Sequence, residues 1–371
     1  MRVNFVLLLA GLVLLAVSAA CFLWSWPGET PTGEGVSPGP APTPQENETQ
    51  PQQPAGGPEA PPESPPEGSV QIREYDYIVR EAILLKNGLD MEKEDLVYVV
   101  LPRNDTYQQA FLLESNYEPE RIGEDEEGNV FAVFRISLRP EERAWINMTF
   151  RVVVRSYRID LDYSYAHWPP YEVVSKYTSG TLYWNVKNET IRKIAERVAG
   201  ELQNPAAIAE ELAAWVSSHV QYEPRGERSG ADRAIMTVGG EEKIVGDCSE
   251  VADVYVTMAR YLGLPARSVY GFLLEDVPQV YWLNISIEEE GEEILAHWGG
   301  HTWPQVYIPP WGWIDVEMLE GFVPKVGDYS WRHILFAVES RRITAASLAD
   351  AYVDTWYFNL EYLRLEVELG G

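Results

Sequence analysis

Two cysteines occur in this 371-residue chain, and the surroundings of the second are those of a nucleophile. Gly246-Asp247-Cys248-Ser249-Glu250 is followed by Val251, Ala252, Val254, Tyr255, Met258, Ala259 and Leu262, and then by Gly263-Leu264-Pro265. Asp247 is a natural N-cap, the apolar spacing is that of a half-buried helix, and Gly263 with Pro265 is a stop signal. Cys248 is therefore expected in the first turn of a helix. Unsatisfied amides and the positive dipole end favour the thiolate there, and the thiolate is the nucleophilic form. The same amides can donate to an oxyanion when the thiolate attacks a carbonyl. The competing reading is a small buried hydrophobe, a common fate of free cysteine.

A base must come from elsewhere in the chain. Among five histidines, His301 stands in a run, Gly299 to Ile308, that reads as a strand, followed by the turn Pro309-Pro310-Trp311-Gly312 and a second strand, Trp313–Met318. This hairpin puts His301 and the acids Asp315 and Glu317 on neighbouring strands. Either acid could orient the imidazole and stabilise its cation, the third role in a Cys-His-acid arrangement. Residues i and i+2 share a strand face, so side-chain parity leaves both open. His219 lies on the apolar stripe of a helix and reads as packing; His167, His297 and His333 lack the context of His301 and read as structural.

Elements that could position these groups are legible around them. Glu189–Leu202 and Pro205–Val220 carry apolar residues at helical spacing, Ile191, Ile194, Ala195 and Val198 in one, Ile208, Leu212, Trp215 and Val216 in the other. Upstream, Gln71–Leu85, Leu96–Leu101, Val130–Ile136 and Ala144–Val154 are rich in Val, Ile, Tyr and Phe, with turn residues such as Asn87-Gly88 between them. An antiparallel, Ig-like β-sandwich over residues 70–157 fits. It holds no cysteine and no candidate base, so it reads as a spacer or binding module. An α+β core over 158–345 would follow, with 346–371 as a C-terminal segment packed on it.

Hydrophobic residues make up 46% and aromatics 12% of the chain, which excludes wholesale disorder. The net charge of −28 disfavours nucleic acid as a partner, because such binding draws on Lys and Arg. Cys21 and Cys248 lie on opposite sides of a linker, so neither a disulfide within the body nor a paired-cysteine metal cluster is expected. Phe5–Trp24 is uncharged and apolar, long enough for the ~20 residues of a membrane-crossing helix. Residues 1–26 are expected to be a signal anchor or, through Cys21, a lipoprotein-type signal; a cleaved signal is the alternative. Residues 27–69 hold 13 of 26 prolines, seven Glu and no Lys or Arg, the composition of an extended stalk. Five N-x-[ST] sequons, at Asn47, Asn104, Asn147, Asn188 and Asn284, favour a glycosylated body on the extracellular side of a membrane.

The stretch GDCSEVADVYVTMARYLGLPARSVYGF resembles the transglutaminase-core motif, a G-x-C helix start followed by a G-[IL]-P-A-R turn into a strand. HTWPQVY…WGWIDVE resembles its partner, H-A-W-x-E-V-Y…G-W-x-x-x-D, and Ala214-Trp215-Val216…Val220-Gln221-Tyr222 is similar to the family's W-V…I-x-Y helix. Together they span about Lys187 to Glu317. The resemblance implies a papain-like α+β fold and a thiol enzyme acting on protein or peptide amides, with Cys248 as nucleophile, His301 as base and no metal or organic cofactor. Water as acyl acceptor would make a peptidase or deamidase, and an amine would make a cross-linker; prokaryotic relatives favour water. A non-enzymatic binding protein of the same fold is the reading from another class. Three departures accompany the likeness. The family's Asp position falls on Glu317, favoured by register over Asp315. Pro304 interrupts the strand after the histidine, which implies an edge or a bulge there, and Gln305 replaces the usual Glu.

Overall fold

Tyr77, Val79, Ile83 and Leu85 alternate along β1 (Val70–Lys86) and are all buried, the period of a strand with one face on a core. Glu81 lies on the same buried stripe without a hydrogen-bond partner, and burial pushes its carboxyl up to about 8, so it is carried as a neutral acid at neutral pH. The computed structural model describes residues 64–225, 227–274, 279–284, 300–344 and 348–370. The expected anchor over residues 1–26, Cys21, most of the 27–69 stalk, the Asn47 sequon and His297 lie outside them. No helix among the described residues is long and apolar enough to cross a membrane.

Five further strands follow: β2 (Lys93–Val100), β3 (Gln108–Ser115), β4 (Arg121–Glu124), β5 (Val130–Leu138) and β6 (Arg143–Ile159). β1 pairs antiparallel with β6 from Val70↔Ile159 to Lys86↔Arg143, and β3 adds to β6. β2, β5 and β4 form the opposing sheet. The helical part then begins with α1 (Tyr171–Tyr177), α2 (Glu189–Ala199) and α3 (Pro205–His219). Asn188 caps α2 and Asn204 caps α3, each side chain accepting first-turn amides. β7 (Val220–Tyr222) follows directly, so the end of the expected second helix is a strand. α4 (Ala231–Ala234), β8 (Ile235–Val238) and β9 (Glu241–Gly246) lead to α5 (Cys248–Tyr261).

Every residue of α5 from Cys248 to Arg260 is buried, where a half-buried helix was expected. The polar residues among them have partners, as full burial requires. Arg228 and the Trp184 indole both donate to Asp253, and Arg260 donates to the carbonyls of Ala266 and Ser179. The helix lies against a five-stranded sheet built from β10 (Ala266–Leu273), β12 (Gly300–Ile308), β13 (Gly312–Glu317), β14 (Lys325–Val326) and β16 (His333–Val338). Strand order is β14-β13-β12-β10-β16.

The remaining strands belong to the sandwich. β11 (Gln279–Asn284) and β18 (Asn359–Leu369) extend the β1–β6 sheet, with β18 paired to β1 from Tyr77↔Leu369 to Lys86↔Asn359. β15 (Asp328–Tyr329) pairs with β6, and β17 (Val353–Asp354) with β2. The segment after 346 thus touches the core through Tyr352, whose hydroxyl donates to the Gly271 carbonyl at 2.5 Å, but its strands complete the sandwich. Residues Ala60–Gly371 form one compact unit with a continuous apolar core.

Candidate active site

The thiol is placed by its cap. Asp247 accepts the Ser249 amide at 2.9 Å, and Glu250 returns to accept the Asp247 amide at 3.1 Å, a reciprocal capping box. The opposite oxygen of Glu250 accepts the Ser229 amide at 2.6 Å, tying the preceding loop to the helix. Gly246 is required here: a Cβ on it would meet the Glu250 Cβ at 2.5 Å and push that side chain out of the box. Burial, with the neighbouring Glu250 charge, pushes Asp247 up to about 6. Tyr222 pairs with Gly246 across β7 and β9 and is 48% exposed, so a phenol flanks the cysteine turn on its open side.

His301 reaches the thiol from the sheet. β12 pairs with β10, His301 opposite Gly271, and with β13 from Gln305↔Asp315 to Ile308↔Gly312. β12 is therefore internal, against the expectation of an edge or bulge at Pro304. The reason lies in the ladder. Tyr307 donates its amide to Pro265, on the β10 side, so alternation aims the position of the missing Pro304 N–H at β13. Pairing with β13 stops at Gln305, one residue short, where no donor is needed. Beyond that point β13 turns to β14, pairing Glu317 with Lys325, and the Glu317 side chain is left facing His301.

The result is a buried chain of donors and acceptors. His301 Nε2 lies 2.8 Å from Glu317 Oε2, and Cys248 lines the same crevice as the imidazole, close enough to favour its charged form. Glu317 Oε1 accepts the amides of Met318, Leu319 and Glu320 at 2.8, 2.6 and 3.1 Å. Burial opposes charge on both groups, yet each stabilises the other. The imidazole is pushed up to about 10 by Glu317 and Cys248, and His301 with His333 holds the Glu317 carboxyl well below the usual range. Cys248, His301, Trp303, Pro304, Glu317 and Leu319 line a tight crevice. A wider, shallow hollow on the sandwich, among Glu94, Tyr98, Arg135 and Trp356, contains no nucleophile.

Asp315 is directed elsewhere. It accepts the Tyr157 hydroxyl at 2.5 Å, the Trp303 indole at 2.6 Å and the Gln305 amide at 3.0 Å, and burial raises its pKa. The Gln305 replacement thus serves Asp315, and Asp315 fastens the hairpin to β6. His219 is stacked on Trp215, and His167 Nδ1 donates to the Tyr165 carbonyl at 3.1 Å. His333 is not remote: its Nε2 lies 3.1 Å from the same Glu317 oxygen. The sequence reading passed over it because β16 reaches Glu317 only through non-local pairing with β10. The ligand atoms of His301, Glu317 and His333 fall within 4.8 Å of one another, a spacing a metal ion could use. Both Nε2 atoms aim at one carboxylate oxygen and His301 also faces the thiol, an arrangement suited to holding protons.

Residues 192–318 carry the signature of the transglutaminase-like superfamily. This stretch is a transglutaminase-like core. An uncharacterised protein of Haemophilus influenzae is 22% identical over 235 residues, 60% of this chain and 62% of that one. Uncharacterised YebA of Bacillus subtilis is 31% identical over 81 residues, 22% of this chain and 10% of its own length. The chain thus spans less than two thirds of either curated relative. Among solved structures, a candidate cysteine protease from Cytophaga hutchinsonii has a TM-score of 0.51 at 14% identity, covering 81% of this chain and 92% of that one. The shared fold extends well beyond residues 192–318.

Proposed function

We propose that this chain is a thiol enzyme that opens amide bonds of proteins or peptides by way of a thioester on Cys248, with water as the usual acceptor. The observation that carries it is the buried sequence thiol, imidazole, carboxylate, with His301 between Cys248 and Glu317. The thiolate adds to the amide carbonyl, and the His301 imidazolium gives its proton to the departing amine. The Cys248 backbone amide and the Tyr222 phenol are the donors beside the developing oxyanion. Water then attacks the thioester, His301 takes its proton, and the released carboxylate leaves the thiol pair as it began. Water is present wherever the site opens to solvent and an amine must be supplied, which supports hydrolysis. An outward-facing body on a membrane anchor is part of the proposal, supported by the apolar N-terminal stretch and the proline-rich segment after it.

The test is mass spectrometry of Cys248 after brief incubation with a peptide mixture rich in glutamine and followed by acid quench. An acyl adduct on Cys248 is expected, lost in His301→Ala, with peptide acid appearing in the absence of any added amine. Absence of an adduct at every pH from 5 to 9, in folded protein whose thiol is intact, would refute the enzyme reading. Product formed only when a primary amine is supplied would replace hydrolysis by cross-linking.

A further inference from the structure

The proposed chemistry leaves one buried imidazole without a part. His333 stands on the edge strand β16, across β10 from His301, yet its Nε2 lies 3.1 Å from the oxygen that His301 holds at 2.8 Å. Its ring is fixed on the other side by Ser330, whose Oγ is 3.0 Å from Nδ1 and accepts the Arg332 amide at 3.3 Å. With that amide donating to it, the hydroxyl has its own proton to offer, and Nδ1 is the acceptor in reach. The ring proton then belongs on Nε2, aimed at Glu317. Trp303 packs edge-on against the His333 ring at 4.8 Å and lies stacked with His301 at 5.5 Å, seating the two imidazoles together.

We propose that His333 is a positioning residue for the thiol chemistry: its Nε2–H, oriented by Ser330, clamps the Glu317 carboxylate against the His301 imidazolium. The proposal rests on the thiol-enzyme reading above. Glu317 Oε1 is anchored by three backbone amides, whereas among the described residues Oε2 is held by the two imidazoles. Without His333, Oε2 keeps a single donor in a dry site, and an unfilled acceptor position is costly there. The carboxylate can then turn away, and the imidazolium that stabilises the Cys248 thiolate loses a fixed partner. His333 acts entirely through Glu317 and His301.

The experiment reads the pH dependence of Cys248 alkylation by iodoacetamide in the full chain, with folding verified by circular dichroism. His333→Phe keeps a ring of similar size without the donor; His333→Gln restores an N–H at comparable reach. A hydrogen bond to a charged group is worth about one pKa unit or somewhat more. His333→Phe is therefore expected to shift the profile about one pH unit upward and to slow alkylation at pH 6 about tenfold, with His333→Gln recovering most of the loss. Ser330→Ala, which frees the ring to take the other tautomer, is expected to shift the profile in the same direction by less. A packing role predicts a lower Tm in His333→Phe with an unmoved profile, and that result overturns the proposal. If His333→Phe does not fold, an unmoved profile in Ser330→Ala overturns it and a shifted one upholds it. Alkylation independent of His301 would instead sink the thiol-enzyme reading; dependence on His301 with none on His333 or Ser330 sinks this proposal alone.

Discussion

At Glu317 five donors converge on one carboxylate and two of them are imidazoles, whereas the donors at Asp315 are a phenol, an indole and an amide. The first set faces the thiol and the second joins two elements, so the two acids should separate by experiment. The pKa of His301 is raised from 6.5 to about 10, so its contribution to stability is complete below 6.5 and fades as pH rises toward 10. That of Glu317 is lowered from 4.5, so its contribution is complete above 4.5 and fades as pH falls through its depressed value. Glu317→Gln should therefore cost the most between these two ordinary values, about 3–5 kcal/mol, and less at pH 10. It should also move the alkylation profile of Cys248 upward. Asp315→Asn should lose about 1–3 kcal/mol with the profile in place. Urea unfolding at pH 5.5 and 10 with alkylation in parallel checks both; a larger profile shift for Asp315→Asn than for Glu317→Gln would reverse the assignment. Motif register pointed to Glu317, but parity alone could not, because what separates the acids is the end of the β12–β13 ladder.

Strand β16 shows how an element is held when its outer edge has no strand beside it. The Gln108 carboxamide donates to the Leu335 carbonyl at 2.7 Å and accepts the Leu335 amide at 2.8 Å. Asn129 does the same at Val338, at 2.8 and 2.7 Å. Two side-chain amides stand in for a neighbouring strand and cover an edge that would otherwise be exposed. Gly271 on the other flank is as specific, since a Cβ there would lie 2.1 Å from the Ile334 carbonyl. Gln108→Ala leaves the Leu335 amide unpaired in a buried place, while the Leu335 carbonyl keeps the Arg103 amide at 3.0 Å, and should destabilise by about 1–3 kcal/mol in denaturant titration; a change below about 0.5 kcal/mol would show that water replaces the side-chain amide. Local signals made the helix start at Cys248 and the hairpin at His301 legible, because caps, stops and turns act over a few residues. β3, β4 and the pairing of β16 were not, since polar, short or non-local partners leave no period in the sequence.

Across the whole molecule, the sandwich is not a detachable spacer. Tyr157 bonds to Asp315, Tyr77 donates to the Trp331 carbonyl at 2.9 Å, and β15 pairs with β6. A chain beginning at Asp160 would lose all of these together with the amides of Gln108 and Asn129. It should be soluble only as an incompletely packed species, with Cys248 alkylated at the rate and pH dependence of an ordinary thiol. A folded truncated chain with the wild-type alkylation profile would restore the sandwich to the role of spacer. Composition changes near residue 157, but the contacts that join the two sides link residues far apart along the chain and leave no local signal in the sequence.

The pairing of β1 with β18 sets an order in time. A chain still being synthesised has β1 and β6 early, but the outer edge of β1 waits for residues 359–369, and Tyr352 waits to reach Gly271. Pairings this distant along the chain form late, because their loops must close first. The sandwich sheet can therefore close on β1 only after the stretch that carries Cys248, His301 and His333 has been made.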